Sequence, residues 1–106
     1  MKQNIKQGDV KQFNHWLIWT SMLIKITPQF EKQYKKLPLC VKEQAKQKES
    51  IFRQDQFSTQ LKTHKLHGKD KACWAFWITR SYRIKFIFIS SQEVLFLAIG
   101  PHSIYK

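Results

Sequence analysis

The fold is decided by the last third of the chain, residues 73–105, which reads CWAFWITRSYRIKFIFISSQEVLFLAIGPHSIY. Trp, Ile, Phe, Val and Tyr dominate three apolar runs in this stretch, and these residue types favour a pleated, half-buried surface. The polar breaks at residues 79–81 and 90–92 are short enough to be hairpin turns. The sequence therefore predicts three consecutive antiparallel strands, at about residues 73–79, 82–89 and 93–99. Gly100-Pro101 ends the last one, because proline cannot donate to a ladder.

Two helices are predicted before these strands. Thr27 and Pro28 are typical of a helix start, since threonine caps the first turn and proline fits the first helical position. Pro38 ends this helix, and a second one follows at about residues 39–54. Each helix has one apolar face: Phe30, Tyr34 and Leu37 in the first, and Val41, Ala45, Ile51 and Phe52 in the second. A short strand at residues 22–27 precedes them, so the order strand, helix, helix, three strands predicts an α+β fold, with a helical hairpin on one face of a single antiparallel sheet.

The N-terminal segment differs from the rest of the chain. Residues 1–13 are polar and lack periodicity, which predicts a disordered arm, and residues 1–21 together are interpreted as an extension. Residues 22–106 are then one folded domain, as expected for a chain of 106 residues. No apolar run approaches the roughly 20 residues that a membrane span needs, so no membrane partner is expected.

The charge of the chain indicates an acidic partner. Nineteen Lys and Arg against seven Asp and Glu give a net charge of +12 and a pI near 10.0. Residues 1–21 hold three lysines and one aspartate, so +10 remains on residues 22–106. Nucleic acid is favoured over an acidic protein or an anionic membrane, because the excess is large for this length and comes with many aromatic residues. The two cysteines, Cys40 and Cys73, are interpreted as reduced thiols of a cytoplasmic protein.

Polar residues interrupt and flank the predicted sheet. Arg83 lies within an apolar strand, His64 precedes the first strand, and His102 and Tyr105 follow the last. RNA cleavage without a metal needs a base for the 2′-hydroxyl proton, an acid for the leaving oxygen and cations for the phosphorane, and these residue types supply all three. Arg83 as a solvated edge residue, His102 as a surface histidine and Tyr105 as a packing residue remain open alternatives. No metal site is predicted, since only Asp70 offers a carboxylate near His64 and His67.

Four segments together carry a family resemblance. They read LKTHKLHG at residues 61–68, WAFWI at 74–78, YRIKF at 82–86 and AIGPHSIY at 98–105. In this order and spacing the chain resembles toxins of the RelE/ParE superfamily, closest to the RelE, YoeB and YafQ-like branch. The resemblance covers residues 23–105, including the helical hairpin.

The resemblance implies a function and a set of site residues. It implies the toxin of a toxin–antitoxin system that cleaves mRNA in the ribosome, needs no cofactor and is neutralised by a cognate antitoxin protein. Arg83 matches the arginine near the scissile phosphate, His102 a C-terminal catalytic histidine, Tyr105 a C-terminal aromatic residue, and His64 the histidine of a Leu-x-x-His-x-Leu element. The other basic residues around the sheet are expected to bind RNA: Lys65, His67, Lys69, Arg80 and Lys85.

The sequence also departs from the family pattern. Phe76 and Trp77 stand where some relatives carry catalytic basic residues, which favours a histidine-centred mechanism over a lysine-centred one. Two other functions stay open: a ParE-like toxin that inhibits DNA gyrase, and an inactive relative that binds RNA. His64 and His102 favour the nuclease, because a gyrase inhibitor has no need of them.

Overall fold

The computed structural model describes residues 10–11, 22–68 and 72–101. Its elements, in chain order, are β1 (Val10–Lys11), β2 (Leu23–Ile26), α1 (Pro28–Lys35), α2 (Leu39–Gln54), β3 (His64–Lys65), β4 (Trp74–Trp77), β5 (Tyr82–Ser90) and β6 (Glu93–Pro101). This is the predicted α+β order of one strand, a helical hairpin and a three-stranded meander. Two strands of two residues each, β1 and β3, were not predicted.

Helix α1 begins where the sequence predicts. The Thr27 hydroxyl oxygen accepts a hydrogen bond from the Phe30 backbone N–H at 3.0 Å, and the same hydroxyl donates to the Leu97 carbonyl at 3.0 Å. One threonine thus caps the helix and ties its start to β6. Pro38 separates the two helices and sits at the N-cap of α2, whose buried residues Val41, Ala45 and Phe52 confirm the predicted apolar stripe.

The sheet has six strands in the order β1-β2-β6-β5-β4-β3. Strands β4, β5 and β6 form the predicted antiparallel meander. Strand β2 pairs in parallel with β6, so the sheet is mixed, and the prediction of a wholly antiparallel sheet is wrong on this point. A parallel pair needs a long connection between its strands, and the hairpin and meander together provide one.

Both helices pack on one face of the sheet, around Phe52. This side chain is fully buried, and its ring centroid lies 4.8 Å from that of Phe76, 5.0 Å from that of Phe86 and 5.5 Å from that of Phe96. Aromatic rings at these separations add to the stability gained from burial alone. One phenylalanine of α2 thus fastens the helix to β4, β5 and β6.

The segment predicted to be a disordered arm contains a strand. The backbone of Val10 and Lys11 pairs antiparallel with Lys25 and Ile24 of β2. For these two residues the prediction of disorder is wrong, because β2 offers an edge to which a short segment can bond. The other residues of the predicted extension, 1–9 and 12–21, lie outside the described residues. In the described part of the chain, no helix is long and apolar enough to cross a membrane.

Candidate nucleic-acid site

The register of the sheet places several predicted site residues on one face. Successive side chains of a strand point to opposite faces, and directly paired residues share a face. Since Phe76 and Phe86 pack against α2, Trp77, Arg83 and Lys85 lie on the opposite side, which we call the outer face. Arg83 pairs with Trp77, Lys85 with Ala75, and Ala75 with His64. The outer face therefore carries His64 and Lys85 in one cross-strand row and Trp77 and Arg83 in the next.

Arg83 lies on the predicted face but does not project into solvent. Its residue surface is only 6% exposed. The Nη1 group donates to the carbonyls of Thr79 at 2.9 Å, Arg80 at 2.6 Å and Tyr82 at 3.3 Å, while the guanidinium carbon lies 4.0 Å from the centre of the Trp77 ring. Its Nε–H is buried and meets no acceptor among the described residues. The Nη1 group of Arg83 therefore stabilises the β4–β5 turn, while its Nε–H donates to no other described residue.

Trp77 is the centre of a cationic cluster. Besides Arg83, the Lys62 ammonium lies 5.3 Å from the centre of its ring. Cations are attracted to an indole face by the ring quadrupole. Trp77 thus holds two basic side chains, Arg83 and Lys62, that come from other parts of the chain. Lys62 was missed by sequence reasoning, because only the folded chain brings residue 62 beside residue 77.

His64 begins β3 and is partly buried. Its Nδ1 atom lies 3.0 Å from the backbone carbonyl oxygen of Lys62. A carbonyl oxygen can only accept, so the hydrogen of this bond belongs to Nδ1. Among the neutral forms of the ring, the one with its hydrogen on Nδ1 makes this hydrogen bond, and the contact holds the ring beside the Lys62 carbonyl.

The structure does not bring all the predicted RNA-binding residues together. Lys65 lies on the helix side of the sheet, because it pairs with Trp74, and its ammonium is 5.9 Å from that ring. His67 is exposed after β3, and Arg80 is exposed in the β4–β5 turn. Lys69, His102 and Tyr105 lie outside the described residues. His102 directly follows Pro101, the residue of β6 that pairs with Tyr82.

Two further observations lie apart from the outer face. Among residues 10–11, 22–68 and 72–101, no three His, Cys, Asp or Glu side chains could together hold a metal ion. A groove of about 840 Å³ lies between the helices and the sheet, with Phe30, Tyr34 and Glu49 among its lining residues. Burial, and then the neighbouring Glu49 carboxylate, raise the pKa of Tyr34. None of the predicted site residues that the structure describes lines this groove.

The fold is shared with solved toxin structures. A YoeB/ParE toxin from Agrobacterium tumefaciens is 17% identical with a TM-score of 0.64, over 74% of this chain and 96% of that one. A chain of the E. coli DinJ–YafQ toxin–antitoxin complex is 15% identical with a TM-score of 0.65, over 81% and 99%. A chain of the archaeal RelE–RelB complex from Pyrococcus horikoshii is 17% identical with a TM-score of 0.62, over 80% and 98%.

Comparisons with family models and with curated sequences do not detect this similarity. No protein-family model matches the sequence, and no curated protein sequence matches it. The chain nevertheless covers 96%, 99% and 98% of the three structures, with TM-scores above 0.6. The prediction of the fold is confirmed: this chain has the RelE-like fold of the RelE/ParE toxin structures.

Proposed function

We propose that this chain is the toxin of a toxin–antitoxin pair, and that it is an endoribonuclease that cleaves mRNA on the ribosome without a metal ion. The fold supports the toxin assignment. The observation that carries the nuclease is the outer face, where the sheet register places His64 and Lys85 in one cross-strand row and Arg83, stacked on the Trp77 indole, in the next.

The spacing of these groups suits one phosphodiester linkage. Neighbouring strands lie about 4.8 Å apart, so His64 and Lys85, which are two strands apart in one row, have backbones about 10 Å from each other. Arg83 lies one row away on the same strand as Lys85. The His64 and Lys85 side chains can reach a single phosphate between them, and the Arg83 guanidinium, held on the Trp77 ring, adds positive charge beside it.

The proposed reaction uses the 2′-hydroxyl of the RNA as the nucleophile. A histidine takes the 2′-hydroxyl proton, the oxygen attacks phosphorus, and the bond from phosphorus to the 5′-oxygen breaks as an acid donates a proton to that oxygen. Arg83, Lys85 and Lys62 neutralise the charge that builds on the phosphorane. His64 and His102 share the roles of base and acid, with Tyr105 in support. The products are a 2′,3′-cyclic phosphate and a 5′-hydroxyl.

The charge of the chain is consistent with both proposed partners. A net charge of +12 favours RNA phosphates, and it equally favours a cognate antitoxin that covers the site with acidic residues. Two of the similar structures are complexes of a toxin with its antitoxin. We place the protein in the cytoplasm, where ribosomes and mRNA are found.

The test is cleavage of ribosome-bound mRNA by the purified chain, from which metal ions have been removed with EDTA before it is added to the ribosomes. Wild type is expected to cut and to leave a cyclic phosphate or 3′-phosphate. His102→Ala is expected to be most impaired and His64→Ala next, each by a factor of roughly 10² or more. His15→Ala, in the predicted extension, is the matched histidine control and should cleave as wild type does.

Other outcomes identify the alternatives. A 3′-hydroxyl product, or unchanged rates in both histidine variants, would remove these histidines from the chemistry. Inhibition of supercoiling by gyrase without RNA cleavage would show a ParE-like toxin. Retention of RNA without cleavage would show an inactive relative.

A further inference from the structure

We infer that Lys62 is a positioning residue for His64, acting through its backbone carbonyl so that Nδ1 carries the hydrogen and Nε2 faces the substrate as the general base. The inference rests on the proposed ribonuclease function for its catalytic consequence. The structural part of the inference is that the Lys62 carbonyl sets the tautomer of the His64 ring. This part does not depend on the ribonuclease function and can be measured without RNA.

The first step is the backbone of Lys62. Its φ angle is +52°, which makes it the single non-glycine residue of the described chain in the left-handed region. The β-carbon of lysine makes this conformation unfavourable. Asparagine tolerates it because its short polar side chain can hydrogen-bond to the nearby backbone, and lysine has no such group. Such a conformation persists only where the surrounding structure holds it, and residues in it are enriched at functional sites.

The second step is what holds it. The residue before, Leu61, has a fully buried side chain, and its carbonyl accepts from the Trp77 N–H at 2.8 Å. The residue after, Thr63, donates from its hydroxyl to the Gln56 carbonyl at 2.6 Å. Because Leu61 and Thr63 are both held in place, the backbone of Lys62 adopts the left-handed conformation to connect them.

The third step is the consequence of this turn. The Lys62 carbonyl oxygen comes to lie 3.0 Å from Nδ1 of His64, two residues ahead. Because that oxygen accepts only, the neutral ring keeps its hydrogen on Nδ1 and its lone pair on Nε2. A histidine that takes a proton from the 2′-hydroxyl needs a lone pair on the nitrogen that meets the substrate. The same turn aims the Lys62 ammonium at the Trp77 ring, beside Arg83.

A resonance measurement tests the tautomer in the free protein. With ¹⁵N-labelled histidine at alkaline pH, where imidazole is neutral, the nitrogen shifts distinguish a protonated Nδ1 from a protonated Nε2. We expect the wild-type His64 ring to carry its hydrogen on Nδ1. A ring that carries it on Nε2 would overturn the inference, whatever the protein does to RNA.

A matched pair of variants tests the cause. Lys62→Ala and Lys62→Val both remove the ammonium, but the β-branched valine is far less compatible with a positive φ. Lys62→Ala should keep the Nδ1–H form, and its kcat should fall only by the part that the lost ammonium contributes to stabilising the phosphorane. Lys62→Val should mix the two tautomers and lower kcat by about tenfold or more. Equal loss of kcat in both variants, or an unchanged tautomer in Lys62→Val, would show that the carbonyl does not position the ring.

The two proposals fail separately. A wild-type chain with the Nδ1–H tautomer that cleaves no RNA would remove the ribonuclease and leave the structural inference in place. A chain that cleaves RNA but carries the His64 hydrogen on Nε2 would support the ribonuclease and overturn the structural inference. If Lys62→Val does not fold, the wild-type spectrum alone decides the tautomer.

Discussion

At the scale of single residues, Arg83 shows how backbone carbonyls and an aromatic ring can hold a buried cation. Three backbone carbonyls of one turn accept from its Nη1 group, and the Trp77 ring covers its plane. Arginine suits this role because its planar fork both donates in fixed directions and stacks on aromatic faces. The residue that the sequence marks as a phosphate ligand is therefore also part of the folded framework.

Arg83→Ala should lower both stability and activity. We expect the free energy of unfolding to fall by about 2–4 kcal/mol, since hydrogen bonds to a buried charged group are lost and the turn carbonyls stay unpaired. Urea unfolding measures this loss. Arg80→Ala is the matched control, because Arg80 is exposed and gives only its backbone carbonyl to the cluster. A wild-type unfolding curve for Arg83→Ala would contradict the structural role.

Tyr34 predicts a loss of stability in alkali. Burial and Glu49 raise its pKa, so the folded chain holds the phenol proton more tightly than the unfolded chain does. The resulting stabilisation is fully present below the ordinary tyrosine pKa of about 10 and is lost as pH rises through the raised value. Wild type should therefore lose stability relative to Tyr34→Phe above about pH 10, as measured by urea unfolding at several pH values. A constant difference between the two proteins across this range would disprove the shift.

At the scale of elements, the junction of β2 and α1 depends on one hydroxyl. Thr27 accepts from the Phe30 N–H and donates to the Leu97 carbonyl, so it caps the helix and fastens it to β6 at the same time. Thr27→Ala should cost about 1–2 kcal/mol, from the loss of the cap and of the bond to β6. Thr27→Ser keeps the hydroxyl and should retain most of that stability. Thermal or urea unfolding compares them, and equal losses in both variants would assign the effect to the methyl group instead.

At the scale of the whole molecule, the predicted extension can be tested by deletion. A chain that starts at Met22 loses β1, which contributes two paired residues at the edge of the sheet. It keeps the contacts of Met22 with Arg53, whose guanidinium donates to the Met22 carbonyl at 3.0 Å. We expect cooperative unfolding with a loss of about 1 kcal/mol. A broad, non-cooperative melt would show that residues 1–21 belong to the folded core.

Much of the fold follows from local sequence. Thr27, Pro28 and Pro38 set the helix boundaries, and the strand runs are long, apolar and separated by clear turns, so propensity and periodicity identify them. Strand β3 has two residues and no apolar alternation of its own. It forms because it borders β4, and no local pattern could reveal it.

The sequence by itself determined the order of the two helices and the four longer strands, the core face and the residue types of the candidate site, because these depend on short-range spacing. Only the tertiary structure decided that β2 runs parallel to β6, that Arg83 is turned back onto its own loop, and that Lys62 reaches Trp77. Each of these depends on pairing between distant parts of the chain. Side chains that meet across a sheet are set by register, and register is a property of the whole fold.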